Sequence, residues 1–138
     1  MTKFIKAGKV VIVLKGRYAG KKAVVVAKKD DGHKGVKYPH AIIAGIEKEP
    51  RRVTRSMLKK QVKKRTKINA FVKRVNYNHI MPTRYQLDDI APIVAEATKT
   101  GVLRDSTKRR LAEANIATAF GAKHKKGENP WFFEKLRF

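Results

Sequence analysis

Three groups of side chains in this 138-residue chain have types and spacings that invite a chemical reading. The first is the loop from Lys15 to Lys22, where Gly16-x-x-x-Gly20-Lys21 approaches a phosphate-binding loop. It is one residue short between the glycines. Lys22 stands where Ser or Thr would hold magnesium, and a β-branched run follows where a helix must begin. The second group is the four histidines, His33, His40, His79 and His124. No two are at i, i+4 around a Glu, and with no cysteine in the chain no thiolate can complete a zinc set. The acid pairs Asp30-Asp31 and Asp88-Asp89 fall in a turn and before a proline segment. Neither makes a nucleophile–base arrangement. The sequence therefore reads as a non-enzyme with no cofactor, no metal and no small-molecule substrate.

The third group is the cations. From Lys48 to Arg74 there are twelve Lys or Arg against one Glu. Ammonium and guanidinium groups crowded on several faces of one segment repel each other in water. They become favourable when phosphates replace their counterions, which are then released. Arg51, Arg52, Arg55 and Arg74 can grip phosphate bidentately, whereas Lys59, Lys60, Lys63, Lys64 and Lys67 act as point charges beside Arg65. The loop adds Lys15, Arg17, Lys21 and Lys22. His79 and Arg84, the triplet Lys108-Arg109-Arg110, then Lys123, Lys125 and Lys126, and finally Lys135 and Arg137 complete the candidate phosphate-contacting set.

Composition bounds these readings. The 34 Lys plus Arg exceed the 11 Asp plus Glu to give a formal charge of +23. Of this, +19 lies in the first 75 residues, while 76–104 is neutral. Scattering lysines for solubility would not polarise a chain in this way, so a polyanionic partner is implied. Hydrophobic residues at 42% are near the globular average, enough for a core. No apolar run reaches the roughly 18 residues of a membrane span, and Met-Thr-Lys-Phe opens no signal peptide. The absence of cysteine fits a reducing compartment. Secreted and membrane-bound classes are set aside.

The elements that must position these cations follow from periodicity. Val10–Leu14 and Ala23–Ala27 are short β-branched runs joined by a loop with two glycines, which predicts a hairpin. Both faces of each run are apolar, so the strands should be buried on two sides, as in a small closed barrel. Asp30-Asp31-Gly32 reads as a turn, and Tyr38 to Ile46 as a strand with Pro39 placing it at an edge. Thr54-Arg55-Ser56 can cap a short helix over about 56–65 with a narrow stripe of Met57, Leu58 and Val62. Ile68 to Tyr77 alternates, Phe71, Val75 and Tyr77 against Val72 and Arg74, which predicts a strand ended by Pro82. Residues 86–104 give no clear pattern. A helix from about 105, capped by Asp105 or Ser106, puts Ala112, Ile116, Ala119 and Phe120 on one face and should stop at Gly121. Asn129-Pro130 then looks like a cap with proline at the first helical position.

The aromatic terminus has two readings. Trp131, Phe132, Phe133 and Phe138 can fold back on their own domain, or dock a partner by stacking on bases or filling a pocket. A run of three aromatics cannot bury every ring against one helix face, which makes the four candidates for partner docking.

Lys6–Leu14, continuing through Gly16-Arg17-Tyr18-Ala19-Gly20-Lys21-Lys22-Ala23-Val24-Val25, resembles a KOW motif. Asn76-Tyr77-Asn78-His79-Ile80-Met81-Pro82-Thr83-Arg84-Tyr85 and the terminus Trp131–Phe138 narrow the likeness. Together they resemble the eukaryotic large-subunit ribosomal protein family numbered twenty-seven. The resemblance implies a mainly β protein: a small Src-homology-3-like barrel over 1–85 with an inserted basic helix, and a helical docking extension over 86–138. It also implies a structural role without catalysis, on large-subunit ribosomal RNA and neighbouring ribosomal proteins. The setting would be the cytoplasmic ribosome, after assembly via the nucleolus. The alternative is a free KOW-type RNA-binding regulator of transcription or RNA processing.

Overall fold

The computed structural model describes residues 4–32, 35–97 and 104–137. Five antiparallel strands come first: β1 (Lys9–Val13), β2 (Lys22–Lys29), β3 (His40–Lys48), β4 (Asn69–Asn76) and β5 (Ile80–Gln86). A short helix α1 (Lys59–Arg65) is inserted between β3 and β4. Helices α2 (Ala91–Ala97), α3 (Ser106–Lys125) and α4 (Pro130–Phe133) follow the sheet. The architecture is mainly β with an α extension.

The spatial order is β4-β3-β2-β1-β5, so the consecutive strands β4 and β5 are at opposite edges. In a flat sheet four spacings of about 4.8 Å would separate them by about 19 Å. The chain between Asn76 and Ile80 is only the 3-10 turn Tyr77–His79, and four extended steps reach about 14 Å at most. The sheet therefore has to curl. It stops short of closure, because no ladder joins β4 to β5. A bulge between Val25 and Ala27 helps the bend.

Curling separates two apolar faces. Inside lie Val11, Val13, Ala23, Val25, Ala41, Ile43, Phe71, Val75 and Ile80, with Ile5 closing one end. Outside lie Val10, Val24, Val26, Ala44, Ile46 and Val72, continuous with Leu87, Ile90 and Val94, with Ile116 and Phe120 of α3, and with Phe132 and Phe133 of α4. The two-sided burial expected of β1 and β2 is present. A closed barrel is not its cause: the inner face fills the curl and the helices cover the outer face.

Several local expectations are corrected. Pro39 does not mark an edge, because β3 pairs with both β2 and β4. Proline lies just before the strand, where no ladder donor is lost, and its carbonyl accepts from Tyr77 N–H at 3.3 Å. Pro82 does not end a strand but sits within β5, opposite Val11. This strand has β1 as its sole ladder partner, so a missing N–H is tolerated there. The caps expected from Thr54 to Ser56 are not used. Leu58 is the N-cap of α1, and Gln61 reaches back to accept from its N–H at 3.3 Å. Asp105 does cap α3, accepting from Thr107 N–H at 2.9 Å and Lys108 N–H at 3.3 Å. Gly121 does not stop that helix. It costs about 1 kcal/mol in a helix interior, and α3 ends instead before Gly127, whose φ is 74°.

Gly45 is the tightest position on the inner face. A Cβ there would stand 2.5 Å from the Lys22 carbonyl oxygen and 2.7 Å from Phe71 Cζ. The Phe71 ring has little freedom to move away, because it is buried and Tyr18 stacks flat on it at 4.0 Å. Gly45→Ala should thus lower unfolding stability by about 1–3 kcal/mol, read as a lower urea midpoint at unchanged slope.

Candidate nucleic-acid interface

The expected cations fall into two groups once placed. Arg51, Arg52, Arg55, Lys59, Lys60, Lys63, Lys64, Arg65 and Lys67 are all exposed. None of these nine has a carboxylate within ion-pair distance among the described residues. The α1 helix buries no residue, and Leu58 of its stripe is 71% exposed, so packing alone gives it little support. It is pinned from outside instead: Arg51 N–H donates to the Arg65 carbonyl at 2.7 Å, and Arg65 Nη1 donates to the Arg52 carbonyl at 3.2 Å.

These cations gather around concavities. One lies against α1, lined by Lys48, Arg51, Met57, Gln61, Lys64 and Arg65. The next, sharing Arg51, brings Arg52, His124, Lys135 and Arg137 together with Glu128 and Glu134. A sequence separation of over eighty residues is thereby collapsed into one basic band. A third cleft lies along β4, on the β4 side of the sheet, and gathers Arg17, Lys73, Arg74, Arg104 and Arg109 around Glu113. Its wall includes Tyr18, whose hydroxyl accepts from Arg17 Nη2 at 2.7 Å. Burial pushes that hydroxyl above its ordinary pKa, against the pull of Arg17.

Lys48, Lys73 and Arg104 were not anticipated. Alternation puts Lys73 on the face opposite Arg74, which concealed that both border one cleft, and Arg104 follows the stretch without a legible pattern. Lys108 on the first turn of α3 and Arg110 just beyond it are exposed. Cations there oppose the helix dipole, so an incoming anion would relieve them. Lys15, Arg84, Lys125 and Lys126 are exposed as well. Arg84 lies 5.2 Å above the Tyr85 ring. His79 is partly buried in the 3-10 turn, and its carbonyl accepts from Leu14 N–H at 2.8 Å.

Two lysines are withdrawn from the surface. Lys22 is buried under the C-terminal segment, where its Nζ donates to the carbonyls of Trp131 at 2.5 Å and Glu134 at 2.8 Å. It also stands 3.9 Å from the Trp131 ring centroid. Burial holds its pKa below the ordinary lysine value, against the pull of Glu134 and Glu49. Lys123 is likewise buried, paired with Asp89 and, at 3.1 Å, with Glu128. Burial works to lower its pKa, but the hydrogen bonds it donates to Asp89 and Glu128 prevail and raise it. Lys21 is half-buried and pairs with Glu49 at 3.1 Å. Arg17 remains exposed, with Glu47 at 3.5 Å.

The aromatic terminus resolves toward the fold. Phe132 and Phe133 are buried beside Phe120, so their rings are not offered to a partner. The outer sheet face, together with α3, supplies the second wall that one helix face could not. Trp131 is half-buried and stacks on Tyr85 at 4.4 Å. Phe138 and His33 lie outside the described residues.

Among those residues no group of three His, Asp or Glu is placed to hold a metal ion, and no helix is long and apolar enough to cross a membrane. Fold and surface together define a class: a mainly β protein with a helical cover, whose exterior is cationic. Residues 10–138 match the model of the Ribosomal L27e protein family, and the chain belongs to that family. It is 51% identical over 138 residues to the large ribosomal subunit protein eL27 of Candida albicans strain SC5314, covering all of both chains. The same identity and coverage hold for a second Candida albicans sequence of that name.

Two outcomes follow from the buried lysines. Lys22→Met removes the donor from two carbonyls and should lower stability by about 1–3 kcal/mol per acceptor left buried. The emission of Trp131, the single tryptophan, should shift to the red. The hydrogen bond from Lys123, against burial, holds the Asp89 carboxyl below the ordinary range. Its contribution is therefore complete above that range and lost as pH falls through the lowered value. Asp89→Asn should flatten this acid limb in a series of thermal melts.

Proposed function

We propose that this protein is a structural constituent of the large ribosomal subunit, with no catalytic activity, that binds ribosomal RNA through two basic surfaces. One is the band from α1 through Arg51 and Arg52 to Lys135 and Arg137. The other is the β4 cleft, joined at its rim by the first turn of α3. The curled sheet presents Lys15 and Arg17 of the 15–22 loop and the 51–67 segment. The extension over 86–138 covers the sheet and supplies the second half of each surface. Family membership and the eL27 relatives support the ribosomal setting. Neighbouring ribosomal proteins would share that site, reached by assembly via the nucleolus into the cytoplasmic ribosome.

The observation that carries the RNA reading is the set of nine exposed cations between Arg51 and Lys67 that have no carboxylate partner among the described residues. Such groups are stabilised when phosphates displace their counterions. Recognition would be of RNA shape, because lysines on a helix cannot read the deep groove of A-form RNA.

Replacing Lys59, Lys60, Lys63 and Lys64 with Gln should weaken binding to ribosomal RNA. The log–log salt slope should fall by about 3 to 4, on the coefficient for duplex phosphates. These side chains are exposed, so the thermal midpoint of the free protein should not fall. An unchanged slope would remove α1 from the interface. In a high-salt sucrose gradient the protein should sediment with the large particle, and a soluble regulator would wash off.

A further inference from the structure

The basic band also contains hydroxyl groups that could carry a regulatory charge. Most aliphatic hydroxyls among the described residues are engaged or lie within regular structure. Thr66 and Thr118 donate to carbonyls of their own helices at 2.9 and 3.0 Å, and Thr83 donates to the Val10 carbonyl at 2.7 Å. Ser106 and Thr107 are within α3. Thr54 and Ser56 differ. Both are exposed and outside every helix and strand, and their hydroxyls hydrogen-bond to each other at 3.1 Å and not to a backbone carbonyl of regular structure.

We propose that Thr54 is a phosphorylation site for an arginine-directed protein kinase, and that the phosphate weakens the basic band's hold on nucleic acid. The regulatory part rests on the RNA-binding reading above. A kinase accepts an extended segment, and residues Pro50 to Thr54 have no helix or strand to unwind. It selects by charge pattern. Arg51 and Arg52 stand three and two residues before Thr54, both exposed to an acidic subsite. Two hydrogen bonds to Arg65, from Arg51 N–H and to the Arg52 carbonyl, are what docking in the kinase has to release.

The step is a phosphoryl transfer from ATP. Thr54 Oγ1 forms a bond to the γ-phosphorus, the bond from that phosphorus to the β–γ bridging oxygen breaks, and ADP leaves. The hydroxyl proton passes to the kinase's catalytic carboxylate. The product adds about −1.5 to −2 charge and three acceptor oxygens. Arg51, Arg52 and Arg55 are the nearest cations in sequence. Pairing with them internally removes them from RNA phosphates.

The test uses the full chain, ATP and a purified kinase that selects arginine at those two positions. One phosphoryl group should be incorporated, mapped to Thr54 by peptide mass spectrometry. Thr54→Val should abolish it and Ser56→Ala should retain it. The phosphorylated chain should bind ribosomal RNA with a log–log salt slope shallower by about 1 to 2. Failure to label the natural chain, or undiminished labelling of Thr54→Val, would overturn the site. Full labelling with an unchanged slope would overturn the regulation. An unmodified chain that ignores ribosomal RNA would instead sink the functional reading, and the regulation with it, while the labelling still decides the site.

Discussion

A sheet that is apolar on both faces cannot rest in water with one face bare, and most of this protein's architecture answers that constraint. Curling lets β1 to β5 bury one face against itself around Phe71 and Ile43. The other face then needs material that the first 86 residues do not contain. Leu87, Ile90, Val94, Ile116, Phe120, Phe132 and Phe133 supply it. The helical extension is thus part of the same core as the strands it follows. Phe132 and Phe133 are bound to the fold by the same hydrophobic burial that holds the strands.

Electrostatics work within that frame. With 34 cations and 11 acids, repulsion is the standing threat to compaction. Several of the few acids are placed to brace the structure. Glu49 holds Lys21, Asp30 holds Lys28, Asp89 and Glu128 flank Lys123, and Asp105 caps α3. The cations left over face outward on loops, on α1 and at helix ends. Intramolecular pairing and outward exposure are thus two sides of one distribution. The acids brace the sheet and the extension each within itself, Lys22 ties one to the other through the Trp131 and Glu134 carbonyls, and the remaining positive charge is concentrated where a polyanion can reach it. The open β4 edge fits this pattern too, since Lys73 and Arg74 discourage edge pairing with a second sheet while bordering a basic cleft.

Strands were the most legible feature in the sequence, because β-branched runs of five residues bounded by glycine have few other solutions. Val10–Leu14 and Ala23–Ala27 fall on β1 and β2 to within a residue or two at most ends. The alternation of Phe71, Val72 and Val75 assigns each to its observed face. The fifth strand was hidden by Pro82, whose tolerance at an edge depends on which neighbour it has. The end of α3 was hidden for a related reason: a glycine stops a helix only when nothing beyond it is worth reaching, and Lys123 lies beyond Gly121. Among the candidate site residues, Arg51 to Lys67 stand exposed as the charge run implied. Lys22 and Lys123 did not stay at the surface.

Composition, periodicity and charge runs determined by themselves that this chain would be basic, with short strands first and helices toward its end. Those properties depend on local preference and on counting, which are complete in one dimension. Tertiary structure alone decided which lysines are interior donors and which are surface cations, because a lysine's role depends on carbonyls and carboxylates more than thirty, or even a hundred, residues away. It likewise decided that Arg17, Arg74 and Arg109 share one cleft. Proximity between distant segments follows from how the sheet curls and what must cover it, and no local pattern encodes that.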